Sequence, residues 1–317
     1  MDGSGAIVAD IGGTNARFAW LDDRGRPVGE RTLAVADHAG LVEALGAFAD
    51  GRRADVVCVA VACPVDDDRI SLTNAAWSFS KRAVAERLKL EKLSVINDFT
   101  AQALALPHLG ADDLAPIGPP LARRPGHPLA VLGPGTGVGV SGLLPVDGGW
   151  VPIAGEGGHV EFAARDEVEW AMRRRFAERY GRVSMERVLR GPAMPELHAV
   201  LAEVEGRDPG PAKTAREITA AALAGEPSAR ATVLRFLSML GSMAGDLALT
   251  LGAFGGVYVA GGIVPRLRPL LAESDFRKSF LDKGRMGGLL EDVATLLIVA
   301  PAPALLGAAA HLGAVEG

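Results

Sequence analysis

At 317 residues the chain is longer than one hydrophobic core usually organises, so two lobes are expected. Apolar residues make up 49% and charged residues 22%, an ordinary globular balance that excludes disorder and fibrous repeats. The net charge of -5 argues against a nucleic-acid partner, which needs a concentrated basic surface.

In chain order, Met1 to Gly5 carries neither the charged start nor the apolar centre of a signal peptide, so no export is expected. Strand-like stretches follow at 6–9 and 17–21, an apolar helical pattern at 41–48, and a β-rich run at 56–62, which is α/β alternation. Cys58 and Cys63 are an odd number of residues apart along an apparent strand and are expected to point to opposite faces. This argues against a disulfide or shared metal and fits reduced thiols in a cytoplasm. A helix is expected over 80–88 and a buried strand over 93–96. Asn97-Asp98-Phe99-Thr100 then opens a helix that stops before Pro107.

Residues 107–128 are rich in Pro and Gly without a steady period, which marks the crossing between lobes. Beyond it come strands at 129–132, 138–144 and 151–154. Helices are expected at 167–180, 194–204, 214–223 and 229–251, the basic run Arg173-Arg174-Arg175 lying on a solvated face of the first. A strand at 256–260 leads into Gly261-Gly262 and a following helix, and a strand at 295–299 precedes a last helix at 304–312. The apolar tract 247–264 is broken by Gly255-Gly256 and Gly261-Gly262, so it reads as a helix end running into a strand and not as a membrane span.

One pattern occurs twice. Val8-Ala9-Asp10-Ile11-Gly12-Gly13-Thr14 and Val131-Leu132-Gly133-Pro134-Gly135-Thr136-Gly137 are each an apolar strand, a Gly/Thr turn and the start of a second strand. They read either as paired hairpins, one in each lobe, or as a chance likeness of two Gly-rich turns. A phosphate chain is held by backbone N–H groups, and glycine admits close approach. Both turns qualify, although either one alone also reads as a plain tight hairpin. Thr14 and Thr136 add hydroxyl donors, and Asp10 stands where a carboxylate meets Mg2+ directly or through water. The chain has no Gly-Lys dipeptide and hence no Walker-type phosphate loop.

Asp98, delivered by a strand to a helix start, reads as a helix cap or as a carboxylate that takes a hydroxyl proton. Asn97 or Asp98 can supply the cap. Gly155-Glu156-Gly157-Gly158-His159 is a polar, glycine-hemmed loop in which Glu156 and His159 suit vicinal hydroxyls, with zinc or a plain surface loop as the other readings. Glu186 reads locally as a helix-surface acid, Asn74 as a turn asparagine, and Gly261-Gly262 as a flat surface beside a helix start.

Taken together these motifs resemble the bacterial glucokinase family, sugar kinases that share a fold with actin and hexokinase. The resemblance rests on Ala9-Asp10-Ile11-Gly12-Gly13-Thr14-Asn15, Thr73-Asn74 with Trp77, Ile96-Asn97-Asp98-Phe99-Thr100, Gly133-Pro134-Gly135-Thr136-Gly137, Gly155 to Val160, Ser184 to Gly191, and Ala260-Gly261-Gly262. It implies a two-lobed actin-like ATPase (ribonuclease-H-like) α/β fold with a cleft between a small and a large domain. The small domain is 1–107 completed by 303–317, and the large one is 108–302. Asp98 would take the proton from the 6-hydroxyl of glucose, while Asn74, Asn97, Gly137, Glu156, His159 and Glu186 hold the sugar.

By the same resemblance, ATP with Mg2+ would lie along Ala9 to Asn15, Thr136-Gly137 and Gly261-Gly262. A cytoplasmic homodimer is the family expectation. The related ROK sugar kinases carry a cysteine-rich zinc site that this chain lacks, so no zinc is expected. A hexose kinase of shifted specificity and a sugar-binding protein without turnover are the rival readings.

Overall fold

The computed structural model describes residues 5–72, 76–211 and 213–313. The chain divides into two compact units, 1–110 with 146–154 and 300–317, and 111–145 with 155–299.

The first unit opens with β1 (Gly5–Ile11) and β2 (Asn15–Leu21), an antiparallel hairpin, and β3 (Pro27–Ala34) pairs with β2. Next come α1 (Leu41–Ala49), β4 (Ala54–Val61), a small hairpin of β5 (Arg69–Ser71) and β6 (Ser78–Ser80), α2 (Lys81–Leu88), β7 (Lys92–Asn97) and α3 (Asp98–Ala105). The sheet order is β3-β2-β1-β4-β7, with β1, β4 and β7 parallel. Residues 57–61 are all buried, the continuous apolar run of a strand covered on both faces. On α1, Leu41, Ala44, Leu45 and Phe48 form one buried stripe, and the Phe48 ring stacks on Phe18 and Trp20 of β2 at 5.3 and 5.8 Å. Periodicity does not reveal β3, because it is a mostly exposed strand at the sheet edge.

The second unit corrects one expectation. Within 107–128, read as an aperiodic crossing, lie a 3-10 turn at Ala111–Asp113 and β8 (Leu114–Pro116), which pairs with a strand far along the chain. Three residues are too few to show a period, so only pairing reveals that strand. The chain continues through β9 (Leu129–Pro134), β10 (Val138–Val146) and β11 (Gly149–Gly155), whose residues up to Ala154 fall in the first unit, and the second unit resumes with α4 (Glu167–Tyr180), α5 (Met185–Leu189), α6 (Met194–Val204) and α7 (Ala215–Leu223). It ends with α8 (Pro227–Leu251), β12 (Gly256–Val259), α9 (Arg268–Glu273), α10 (Phe276–Leu281) and β13 (Thr295–Ile298).

The second sheet has the order β11-β10-β9-β12-β13-β8, with β9 antiparallel to β10 and β9, β12 and β13 parallel. The first five positions repeat the order of the first sheet, so the twice-occurring motif marks one hairpin at the same place in each sheet. α8 is long and apolar enough to cross a bilayer, but 67% of its most apolar window is buried, and it serves as the core helix of this unit.

The last helix, α11 (Pro303–His311), belongs to the first unit and packs along α3. The approach is close at Gly307, where a Cβ would fall 1.7 Å from the carbonyl oxygen of Ala101. Gly307→Ala is expected to force the two helices apart and to lower stability by about 1–3 kcal/mol or more, read from the urea midpoint.

Burial pulls His108, His198 and His311 below the ordinary imidazole value of 6.5. His198 is buried with Nδ1 2.8 Å from Thr232 Oγ1. Above that value the folded and unfolded chains both hold these rings neutral. As pH falls below it the unfolded chain takes up protons first, so stability declines through the lowered folded values. The urea midpoint is therefore expected to be level from about pH 8 to 7 and to fall between about pH 6.5 and 5.

Candidate functional site

In the first unit the candidate residues gather where strands end. β7 runs into α3 at Asn97, whose Oδ1 accepts the N–H groups of Phe99 (2.8 Å) and Thr100 (3.2 Å). Asn97 is thus the helix cap. Asp98 is the first helical residue, and its Oδ1 accepts the same Phe99 N–H at 3.0 Å. Its charge reaches Cys63, just past the end of β4: burial pushes that thiol up, and the Asp98 carboxylate adds to the rise. Of the two capping alternatives open in the sequence, the main role falls to Asn97.

At the β1–β2 turn the Gly12 N–H donates to the Asn15 carbonyl (2.9 Å) and the Val35 N–H to that of Thr14 (2.9 Å). Gly13, Thr14 and Asn15 are exposed, and Ala9 and Ile11 are buried within β1. Asp10 lies opposite Arg17 in the ladder, with Oδ2 3.7 Å from Nη1. Burial raises the Asp10 carboxyl most, Arg17 opposes the rise and Glu30 adds to it. Asn74 lies outside the described residues.

In the second unit the Gly135 N–H donates to the Gly137 carbonyl at 2.8 Å, closing the β9–β10 turn with Thr136 exposed at its tip. The next amide, Val138 N–H, donates to Glu186 Oε2 at 3.0 Å, and His159 Nε2 stands 4.0 Å from that oxygen. Glu186, on α5, is therefore not the plain surface acid that its local sequence describes. Its Oε2 binds the first amide of β10. His159 rides on a 3-10 turn at Gly157–His159, its N–H donating to the exposed Glu156 carbonyl at 2.9 Å. That turn lies flat on β10: a Cβ on Gly158 would come within 2.0 Å of the Val138 oxygen.

Gly261 follows β12 with a φ of +89° and lies against the Pro134 carbonyl. The helix expected directly after Gly262 is instead a four-residue 3-10 turn, Val264–Leu267, followed by the six-residue α9. Pro265 sits early in that turn and Pro269 early in α9, where a missing N–H is tolerated, and the segment is too short for a sustained dipole. Sequence reasoning also missed Gly191, whose N–H donates to the Gly135 carbonyl at 2.8 Å. The Gly-Pro pair at 191–192 signals only a turn, and its partner lies far earlier in the chain.

The cap gives a direct check. Asn97→Ala is expected to lose about 1 kcal/mol of stability and Asn97→Asp much less, in parallel urea titrations.

Two sheets that share a five-strand order, each carrying a Gly/Thr hairpin, are the duplicated fold of the actin-like kinases. A glucokinase structure from an Antarctic psychrotroph superposes with a TM-score of 0.88 at 34% identity, covering 98% of this chain and 99% of the other. A Balamuthia mandrillaris glucokinase solved with glucose shares the fold, with a TM-score of 0.79 at 21% identity over 99% of this chain and 94% of the other. The sequence narrows the class: the chain belongs to the Glucokinase family, whose model matches residues 7–314. The glucokinase of Chromohalobacter salexigens is 46% identical over 310 residues, 96% of each chain. That of Aromatoleum aromaticum is 46% identical over 312 residues, 96% of this chain and 94% of the other.

Proposed function

We propose that the protein transfers the γ-phosphate of ATP to the 6-hydroxyl of D-glucose, yielding glucose 6-phosphate and ADP. The observation that carries this reading is the division of labour at the head of α3. Asn97 accepts two amides of the helix start, and the Asp98 carboxylate beside it, which accepts one of them, stands at the strand-to-helix junction where it can act as general base. Asp98 takes the 6-hydroxyl proton as the sugar oxygen bonds to the γ-phosphorus. The bond from that phosphorus to the β–γ bridging oxygen breaks, and ADP leaves. Asn74, Asn97, Gly137, Glu156, His159 and Glu186 hold the sugar, and the Glu186–His159 pair supports that assignment by offering an acceptor beside a donor.

The ATP phosphates run along the turn at Gly12 to Asn15 and along Thr136-Gly137, with Ala9 to Ile11 behind the first turn and Gly261-Gly262 beside the nucleoside. Asp10 suits Mg2+: it is a hard oxygen donor whose ionised form is disfavoured by burial, which a divalent cation would offset. Bound there, Mg2+ supplies charge neutralisation to the phosphates. The domain division we infer follows the family, with 1–107 and 303–317 as one domain and 108–302 as the other. A zinc-free cytoplasmic homodimer, acting at the first step of sugar catabolism, completes the reading.

The test has two arms. Asp98→Asn is expected to keep glucose affinity within a few-fold and to cut turnover by about a hundredfold or more. Unchanged turnover removes Asp98 from the chemistry. In a coupled assay over a hexose panel, glucose is expected to be the preferred acceptor. Turnover on mannose or fructose without glucose turnover assigns the chain to another hexose.

A further inference from the structure

In the second unit α5 is hydrogen-bonded on two flanks. Toward the 155–162 loop, the Met185 N–H donates to the Val160 carbonyl (2.9 Å), Glu161 and Ser184 form a β-bridge, and His159 Nε2 stands 4.0 Å from Glu186 Oε2. Toward the β9–β10 turn, Glu186 Oε2 accepts the Val138 N–H, and just past the helix the Gly191 N–H donates to the Gly135 carbonyl. The Gly135 N–H in turn closes the turn on the Gly137 carbonyl. Two of the turn's backbone groups are thus held by α5 and the residues that follow it.

There is little slack in this arrangement. A Cβ on Gly137 would lie 2.5 Å from Glu186 Oε2, and one on Gly191 would lie 2.9 Å from Ile263 Cδ1 and 3.1 Å from the Gly135 oxygen. Val188 and Leu189 are fully buried, which fixes α5 against the core.

We propose that the segment from Glu186 to Gly191 is a strut joining sugar to nucleotide: Glu186 binds the sugar and the phosphate turn through one carboxylate, and Gly191 is a positioning residue for that turn. This rests on the sugar and phosphate assignments made above. A sugar hydroxyl donating to Glu186 fixes its rotamer, and with it the direction of the Val138 N–H and the shape of the turn that receives phosphate. Because the contacts leave little slack, the position Glu186 takes on meeting the sugar is passed to the turn, and the two ligands favour each other. The coupling must be reciprocal.

Equilibrium titrations with glucose and AMP-PNP test this. In the unaltered protein glucose is expected to tighten AMP-PNP about fivefold or more, and AMP-PNP to tighten glucose by the same factor. Gly191→Ala is expected to weaken AMP-PNP by about three- to tenfold while glucose, titrated without nucleotide, binds within about twofold of the unaltered protein, a split that general loss of structure would not produce. Glu186→Gln, which removes the charge from the shared carboxylate, is expected to bring the coupling factor at saturating glucose close to one. Unchanged AMP-PNP affinity in Gly191→Ala, or a full coupling factor in Glu186→Gln, overturns the strut. Failure of the unaltered protein to bind glucose strikes the underlying sugar assignment instead.

Discussion

Parallel strands that end level with one another are the constraint from which the first unit follows. Ile11 of β1 pairs with Val61 of β4, and Val61 pairs with Asn97 of β7, so three strands finish at one edge of the sheet. The Gly12–Asn15 turn, the Cys63 exit and the Asn97-Asp98 helix start therefore emerge side by side. Helices cover the faces of such a sheet, so polar groups collect beyond the carboxyl ends of the strands, where open α/β sheets place their ligands. In the second unit Leu132 of β9 pairs with Val259 of β12, which brings the 134–138 turn level with Gly261.

A second constraint is that backbone N–H groups near a core must find acceptors. It explains why residues with chemical potential also hold the structure. Asn97 satisfies two amides of α3 and Glu186 one amide of β10. A helix start needs such an acceptor in any protein. Here the acceptor chosen is followed by a carboxylate, and on the reading proposed above side chains that serve the backbone also hold the sugar.

Glycine marks the places where main chains lie closest. The α3–α11 packing depends on Gly307, and the flat seating of the His159 turn on β10 depends on Gly158. At both positions any side chain would strike a carbonyl oxygen, and main-chain carbonyls in regular elements have little room to retreat.

The long elements were legible because each carries enough residues to display a period. α4 and α6 have the bounds that their apolar spacing suggests, and β4 reads as a strand from its unbroken buried run. β8 and β3 were not legible, one being too short and the other too exposed for burial to imprint a pattern. In the candidate site, Asp98 was legible as a polar residue between a strand and a helix, but the assignment of the cap to Asn97 required backbone geometry.

Glu186 was legible only as a helix acid, since the amide it accepts lies 48 positions earlier. By itself the sequence determined the long strands and helices and that two Gly/Thr turns recur, because those properties are set by neighbours in the chain. The tertiary structure alone decided that β9 lies between β10 and β12, that Glu186 meets Val138 and that Gly191 meets Gly135. Contacts between distant segments arise from burial and hydrogen-bond satisfaction over a whole unit, and no local pattern encodes them.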